Sequence, residues 1–142
     1  MEIKQISVFI ENKKGRLKKA IDTLSKAEIN IRALSIADHT KFGILRLIVS
    51  DNEKAKNAFQ KNSFVVKEND VIVVEIPDKP NGLNSVLTIL DDENINVEYL
   101  YAFVGKTDEA IVVMRLKNIE EGIKALKSKN ANLLTRTYID NL

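Results

Sequence analysis

Cysteine and tryptophan are absent from this sequence, and histidine occurs once. Without cysteine there is no disulfide, no thiolate metal site, no CxxC redox pair and no cysteine nucleophile, and a single histidine excludes sites built from several imidazoles. Glycine and proline are scarce, five and two among 142 residues, which leaves little material for a flexible linker. No run approaches the roughly 18 to 20 consecutive apolar residues of a membrane-spanning helix. The charged start Met1-Glu2-Ile3-Lys4 leads into no signal-peptide hydrophobic region. A cytoplasmic protein is expected. With 44% hydrophobic and 30% charged residues, the chain is apolar enough to bury a core and too apolar for disorder.

The net charge of +2 describes neither half. Residues 1–70 carry 14 Lys plus Arg against 9 Asp plus Glu, a balance of +5, and residues 71–142 carry 8 against 11, a balance of −3. Such asymmetry fits either a basic nucleic-acid surface or two modules whose solvated faces have diverged.

Self-similarity supplies the two modules. At an offset of 66, Val8 matches Val74, Ile10 matches Ile76, Leu17 matches Leu83, Leu24 matches Leu90, Ile29-Asn30 matches Ile95-Asn96 and Leu34 matches Leu100. The offset then becomes 67, pairing Ile44 with Ile111, Glu53 with Glu120 and Ala58 with Ala125. The second copy has therefore gained one residue near Gly105-Lys106-Thr107, in what reads as a hairpin loop, where insertions are tolerated best.

Each copy carries the same pattern. Ile3–Ile10 is a β-type run; Leu17, Ala20, Ile21, Leu24 and Ala27 then recur on one helical face. Ile29–Ala37 is extended, Asp38-His39-Thr40-Lys41 reads as a turn with His39 an exposed loop residue, and Gly43–Val49 is the next strand. Asp51 is placed to cap a second helix whose buried stripe is Ala55, Ala58 and Phe59. Phe64–Lys67 is a last strand, and Glu68-Asn69-Asp70 reads as the turn into the second copy. That copy repeats the order: strand Val71–Ile76, helix Leu83–Asp92, strands Ile95–Val104 and Ala110–Leu116, helix Ile119–Lys129 and strand Leu133–Ile139. The expected fold class is α+β: two tandem ferredoxin-like βαββαβ units over residues 1–69 and 70–142. Right-handed crossovers put both helices of a unit on one face of a four-stranded antiparallel sheet and leave the other face bare. Each unit of about 70 residues is small for a core, so docking to another unit is expected.

Ferredoxin-like units host many functions, so the sites must decide. A metallochaperone needs a thiolate pair, and there is none. An RNA-recognition module needs aromatics on its central strands, and Gly43–Val49 has no aromatic residue. Of the 22 cations, 17 are Lys and 5 are Arg, which argues against base reading. The cluster Lys13, Lys14, Arg16, Lys18, Lys19 and Lys26 reads as a solvated helix face.

The informative segment joins the first strand to the first helix. It reads Glu11-Asn12-Lys13-Lys14-Gly15-Arg16-Leu17 in the first copy and Pro77-Asp78-Lys79-Pro80-Asn81-Gly82-Leu83 in the second. Here the chain resembles the ACT domain family of amino-acid-sensing regulatory modules, whose first loop has the form Asn-x-Pro-Gly-x-Leu, with a Gly-x-Asn-Ile step into the second strand. The first copy matches as Asn12-Lys13-Lys14-Gly15-Arg16-Leu17 and Glu28-Ile29-Asn30-Ile31, with Lys14 in place of proline. The second matches as Asp78-Lys79-Pro80-Asn81-Gly82-Leu83 and Asn94-Ile95-Asn96-Val97, with the glycine shifted by one. The chain is most similar to stand-alone tandem ACT proteins, which have no attached enzyme.

The resemblance implies ligand-binding positions at Asn12, Lys14, Gly15, Leu17 and Asn30, and at Asp78, Pro80, Asn81, Gly82, Leu83 and Asn96. It further implies that the loop and the Asn entering the second strand face a neighbouring domain, so that the ligand is shared. The chemistry agrees: a helix-opening turn offers unpaired amides to a carboxylate. Asn12 or Asp78 accepts from an ammonium, and Gly15 or Gly82 lets backbone approach a ligand closely. The implied function is a non-enzymatic regulator, free of cofactors and metals, that binds an amino acid at loop or domain interfaces and changes domain or subunit packing. A homodimer and a separate enzyme of amino-acid metabolism are the expected partners; membrane and nucleic acid are not. The alternative classes are an acylphosphatase-like hydrolase, for which Arg16 with Asn12 or Asn30 would be the machinery, and a nucleic-acid-binding or scaffolding module. Tyr99, Tyr101 and Phe103 share one strand face where the first copy has Ala33, Ser35 and Ala37, which suits either an interface or a ligand pocket.

Overall fold

The computed structural model describes residues 2–38, 40–106 and 108–142, so His39 and Thr107 lie outside the described residues. The elements are β1 (Ile3–Glu11), α1 (Arg16–Lys26), β2 (Ile31–Ala37), β3 (Phe42–Val49), α2 (Asn52–Lys61), β4 (Val65–Pro77), α3 (Gly82–Asp92), β5 (Val97–Val104), β6 (Glu109–Leu116), α4 (Ile119–Ser128), β7 (Asn132–Leu133) and α5 (Arg136–Asp140). They form two compact units, Lys4–Asn69 and Asp70–Leu142, the latter joined by Ile3. The fold is α+β, two tandem ferredoxin-like units.

In the first unit the strands run β4-β1-β3-β2, with β3 antiparallel to both β1 and β2. The two-residue periodicity of a strand puts Ile6, Val8 and Ile10 of β1 on the face shared with Leu45, Leu47 and Val49 of β3. All are buried with Ala20 and Leu24 of α1 and Ala55 and Phe59 of α2 in one core. Each fully buried aliphatic side chain contributes about 1.5–3 kcal/mol before discounting for a compact unfolded state. Leu17 stands at the head of the α1 stripe yet is 41% exposed, outside that core. Asp51 caps α2 as its sequence position suggests, its side chain accepting from the Lys54 amide at 3.1 Å.

In the second unit the order is β7-β4-β6-β5. Ile72, Val74 and Ile76 of β4, Val112, Met114 and Leu116 of β6, Val86 and Leu90 of α3, and Leu126 of α4 form its core. The hairpin insertion is visible in the register: seven residues separate Phe103 from its partner Ile111, against six between Ala37 and Ile44.

Two sequence expectations are corrected. Glu68-Asn69-Asp70 is not a turn but the middle of β4, which is extended for 13 residues. Two of the three polar side chains that suggest a turn are satisfied where they stand. Glu68 accepts from Lys56 Nζ at 2.6 Å and Asn52 Nδ2 at 3.1 Å, and the Asn69 side-chain oxygen accepts from the Ser7 hydroxyl at 2.6 Å. The expected strand Leu133–Ile139 is a two-residue strand followed by α5. Thr135 caps that helix, accepting from the Tyr138 amide at 3.2 Å, and Arg136 pairs with Asp140 one turn on at 2.9 Å. These local bonds outweigh the β-propensity of a Thr- and Tyr-rich run. In consequence the sheet face opposite α3 and α4 is not bare: Tyr138 donates to Glu75, which alternates with the core residues Val74 and Ile76 and so faces the other way.

Candidate functional site

The strand-to-helix turn is built alike in the two units. Asn12 N–H donates to the Lys41 carbonyl, Lys13 N–H to that of Glu11, and Arg16 N–H to that of Lys13, at 3.0, 2.9 and 3.3 Å. At the corresponding positions Asp78, Lys79 and Gly82 donate to Asp108, Pro77 and Lys79, at 3.0, 2.8 and 3.0 Å. Neither helix N-terminus receives a side-chain cap, and beyond the first amide, which donates within the turn, the second and third amides of each helix stay available to an anion.

The two glycines serve different ends. Gly15, at the N-cap of α1, has φ 88°, and a Cβ added there would meet nothing within 4 Å. Gly82 is buried, and a Cβ there would lie 2.1 Å from the Pro77 carbonyl oxygen. It is therefore required by the turn's own backbone. Asn81 precedes it in an ordinary right-handed conformation, its carbonyl accepting from the Ser85 hydroxyl at 2.8 Å.

A cavity of about 500 Å³ opens at this turn in the second unit. Its walls are the end of β4 (Glu75, Ile76, Pro77), the turn and first face of α3 (Lys79, Asn81, Gly82, Ser85, Val86, Ile89), Glu109 of β6 and the segment from Lys129 to Asn132. It exists because β7 is short: β7 pairs with β4 only at Val74 and Glu75, leaving Ile76 and Pro77 outside that ladder. Glu75 accepts from Asn132 Nδ2 at 2.8 Å and from the Tyr138 hydroxyl at 2.9 Å. A hydrogen bond with Glu75, partial burial and the charges of Glu75 and Asp108 hold the Glu109 carboxyl above the usual glutamate range. The same Glu75 contact raises the Tyr138 phenol.

The first unit fills the equivalent space. Phe64 N–H donates to the Phe59 carbonyl at 2.9 Å as Ala131 N–H does to that of Leu126 at 3.0 Å, which fixes Phe64 as the counterpart of Ala131. Arg16 and Lys19, counterparts of Gly82 and Ser85, lie over the Phe64 ring at 5.5 and 5.7 Å. Three cavity-lining residues thus correspond to three residues that stack on one another. Glu75 and Glu109 likewise correspond to Phe9 and Phe42, whose rings are 5.7 Å apart.

The model of the ACT domain pair matches residues 1–140. The chain belongs to the ACT domain pair family. Solved structures agree: this ACT pair is similar to protein BT0572 from Bacteroides thetaiotaomicron at 42% identity, covering 100% of this chain and 98% of that one, with a TM-score of 0.94. The regulatory subunits of aspartate kinase from Thermus thermophilus and Thermus flavus share its fold, with TM-scores of 0.63 and 0.64 at 13% and 16% identity. They cover 88% and 87% of this chain, and 90% and 88% of their own. Comparison with curated proteins finds no match.

Of the sequence-predicted positions in this ACT pair, only Asn81 and Gly82 line the cavity; Asp78 and Pro80 are exposed in the same turn, and Leu83 packs against the core. Asn12, Lys14 and Gly15 are exposed in the first unit. Asn30 and Asn96 lie beyond the far ends of α1 and α3, each about 16 Å of helix from its turn at 1.5 Å per residue. Asn96 lines a separate groove with Asn84, Thr88 and Asp91. Turn and strand-entry Asn of one unit therefore do not meet on one small ligand. Tyr99, Tyr101 and Phe103 do share a face, each opposite a β6 residue of the face away from α3 and α4. Glu75, Glu109, Lys129 and Asn132 escaped the sequence reading because they are remote in the chain and no motif contains them. Comparing the copies residue by residue, which sets Glu75 against Phe9, is the signal that could have found them. No helix among the described residues is long and apolar enough to cross a membrane.

Proposed function

We propose that this ACT pair, with domains of residues 1–69 and 70–142, is a non-catalytic cytoplasmic regulator. It binds one free amino acid per chain at the second unit's turn, changes domain or subunit packing as a homodimer, and thereby controls a separate enzyme of amino-acid metabolism. The observation that carries this reading is the cavity of about 500 Å³ at the uncapped N-terminus of α3, a size suited to a small ligand. Its lining offers both charges of a zwitterion their complements: Lys79, Lys129 and the α3 amides for a carboxylate, Glu75 and Glu109 for an ammonium. Ile76, Val86 and Ile89 supply apolar surface for a side chain. One site per chain follows from the first unit, where Arg16, Lys19 and Phe64 occupy the corresponding volume.

A thermal-shift screen against the twenty amino acids tests this. A ligand at 100 times its dissociation constant adds about 2.7 kcal/mol, which is several degrees for a chain of this length. Calorimetric titration of a hit is expected to give one site per chain. No shift from any amino acid at millimolar concentration would remove the reading.

A further inference from the structure

The cavity has a polarity that the fold does not require. Glu75 lies opposite Ile111 and Glu109 opposite Pro77, which makes the two carboxylates diagonal neighbours on one sheet face. Like charges so placed repel. The first unit, on the same backbone positions, carries Phe9 and Phe42 in ring contact, so packing alone is served by an apolar pair. The carboxylates occur in the unit that has the open cavity, and both line it. Glu75 is also held in place: Asn132 donates to its Oε1 at 2.8 Å and Tyr138 of α5 to its Oε2 at 2.9 Å. Lys106 sits over the Tyr138 ring at 5.3 Å, so a cation bears on the same contact.

We infer that Glu75 and Glu109 form the ammonium subsite of the cavity, and that α5, tied to Glu75 through Tyr138, senses whether that subsite is filled. The inference rests on the amino-acid reading above and fixes the ligand's orientation. Its ammonium lies against β4 and β6, and its carboxylate points to Lys79, Lys129 and the first turn of α3. The ligand class is narrowed to compounds with a free amino group. An arriving ammonium relieves the carboxylate repulsion and competes for the charge that strengthens the Tyr138 bond to Glu75. Binding therefore loosens α5, the one element in this unit outside the repeated βαββαβ pattern, and turns occupancy of a cavity into a change at the C-terminus.

The test titrates the full chain with three probe series: the twenty amino acids, the matching amines that lack the carboxylate, and the matching acids that lack the amino group. The amino acid that binds wild type is expected to lose tenfold or more in affinity with Glu109→Gln and with Glu75→Gln. Its analogue without the amino group is expected not to bind at the same concentration. Amide exchange of Arg136–Asp140 is expected to quicken on saturation, and Tyr138→Phe to abolish that response while binding persists. Ala131→Phe serves as the control for the cavity itself. If analogues without the amino group bind as tightly as the amino acid while Ala131→Phe still blocks binding, the ammonium subsite is overturned and the amino-acid cavity stands. Unchanged exchange in α5 on saturation overturns the coupling. If no amino acid binds, subsite and cavity reading fall together.

Discussion

The guanidinium of Arg16 lies 5.5 Å from the centroid of the Phe64 ring, at the two positions where the second unit has Gly82 and Ala131. One pair closes a volume and the other opens it, on backbones that make matching hydrogen bonds through the turn. Duplication has thus left two copies of a scaffold with different side chains at this turn, and a cavity of about 500 Å³ opens in the second. The asymmetry lies in side-chain volume and charge and not in topology, and it can be tested by exchanging side chains between copies.

Ala131→Phe in the second unit is expected to close the cavity. Ala131 is half-buried at the rim, and the first unit shows that the scaffold carries phenylalanine at this position. Thermal stability without ligand should shift by only a degree or two, while the stabilisation by amino acid disappears. Retention of the full ligand-induced shift would place the ligand elsewhere.

Removing the plug from the first unit is a stability experiment. Phe64 is buried and meets Phe59 edge-on at 5.6 Å. Phe64→Ala should cost about 3–5 kcal/mol in a denaturant titration, as large aromatic deletions in cores do. Arg16→Ala, which loses a partly exposed cation–ring contact, should cost about 0.5–1 kcal/mol. Comparable losses from the two would mean that the guanidinium, and not the ring, holds this corner together.

The repeat, the order of elements and the turn were legible in the sequence because each rests on short-range pattern: period-two strands, period-3.6 helices, and Gly, Asn and Asp near Leu17 and Leu83. What was not legible depends on distant partners. Glu68, Asn69 and Asp70 look like a turn until Lys56, Asn52 and Ser7 are seen to satisfy the first two. The run after Leu133 looks like a strand until Thr135 is seen to cap a helix. The candidate site was half legible: the turn marks the cavity through Asn81 and Gly82, but Glu75, Glu109 and Lys129 reach it from other elements.

The two turn glycines should respond differently to the same change. Gly82→Ala places a methyl 2.1 Å from the Pro77 carbonyl oxygen, a contact with backbone that no rotamer relieves, and about 3 kcal/mol is expected. Gly15→Ala meets no atom and bears only the strain of a positive φ, about 1–2 kcal/mol, and Gly15→Asn should cost less. Denaturant midpoints for the three variants check the order. Equal costs for the two alanine variants would argue against the close approach of Gly82 to Pro77.

Two glutamates set opposite slopes of stability against pH. Glu109, raised above the usual 4.5 by its hydrogen bond with Glu75, by desolvation and by the charges of Glu75 and Asp108, keeps in the native state a proton that the unfolded chain releases. Its contribution is present below about pH 4.5 and is lost as pH rises through the raised value. Glu68, lowered by Lys56 first and then by Asn52, behaves in the reverse sense: its contribution is present above 4.5 and is lost as pH falls through the lowered value. Glu109→Gln is therefore expected to stabilise the chain at pH 7 and to remove a decline on the way up from acid. Glu68→Gln should lower stability at pH 7 and flatten the acid limb below pH 4.5. Urea denaturation of wild type and both variants between pH 3 and 8 reads these slopes directly. A Glu109→Gln variant less stable than wild type at pH 7 would mean that the ionised carboxylate is held by a favourable partner and not repelled by Glu75.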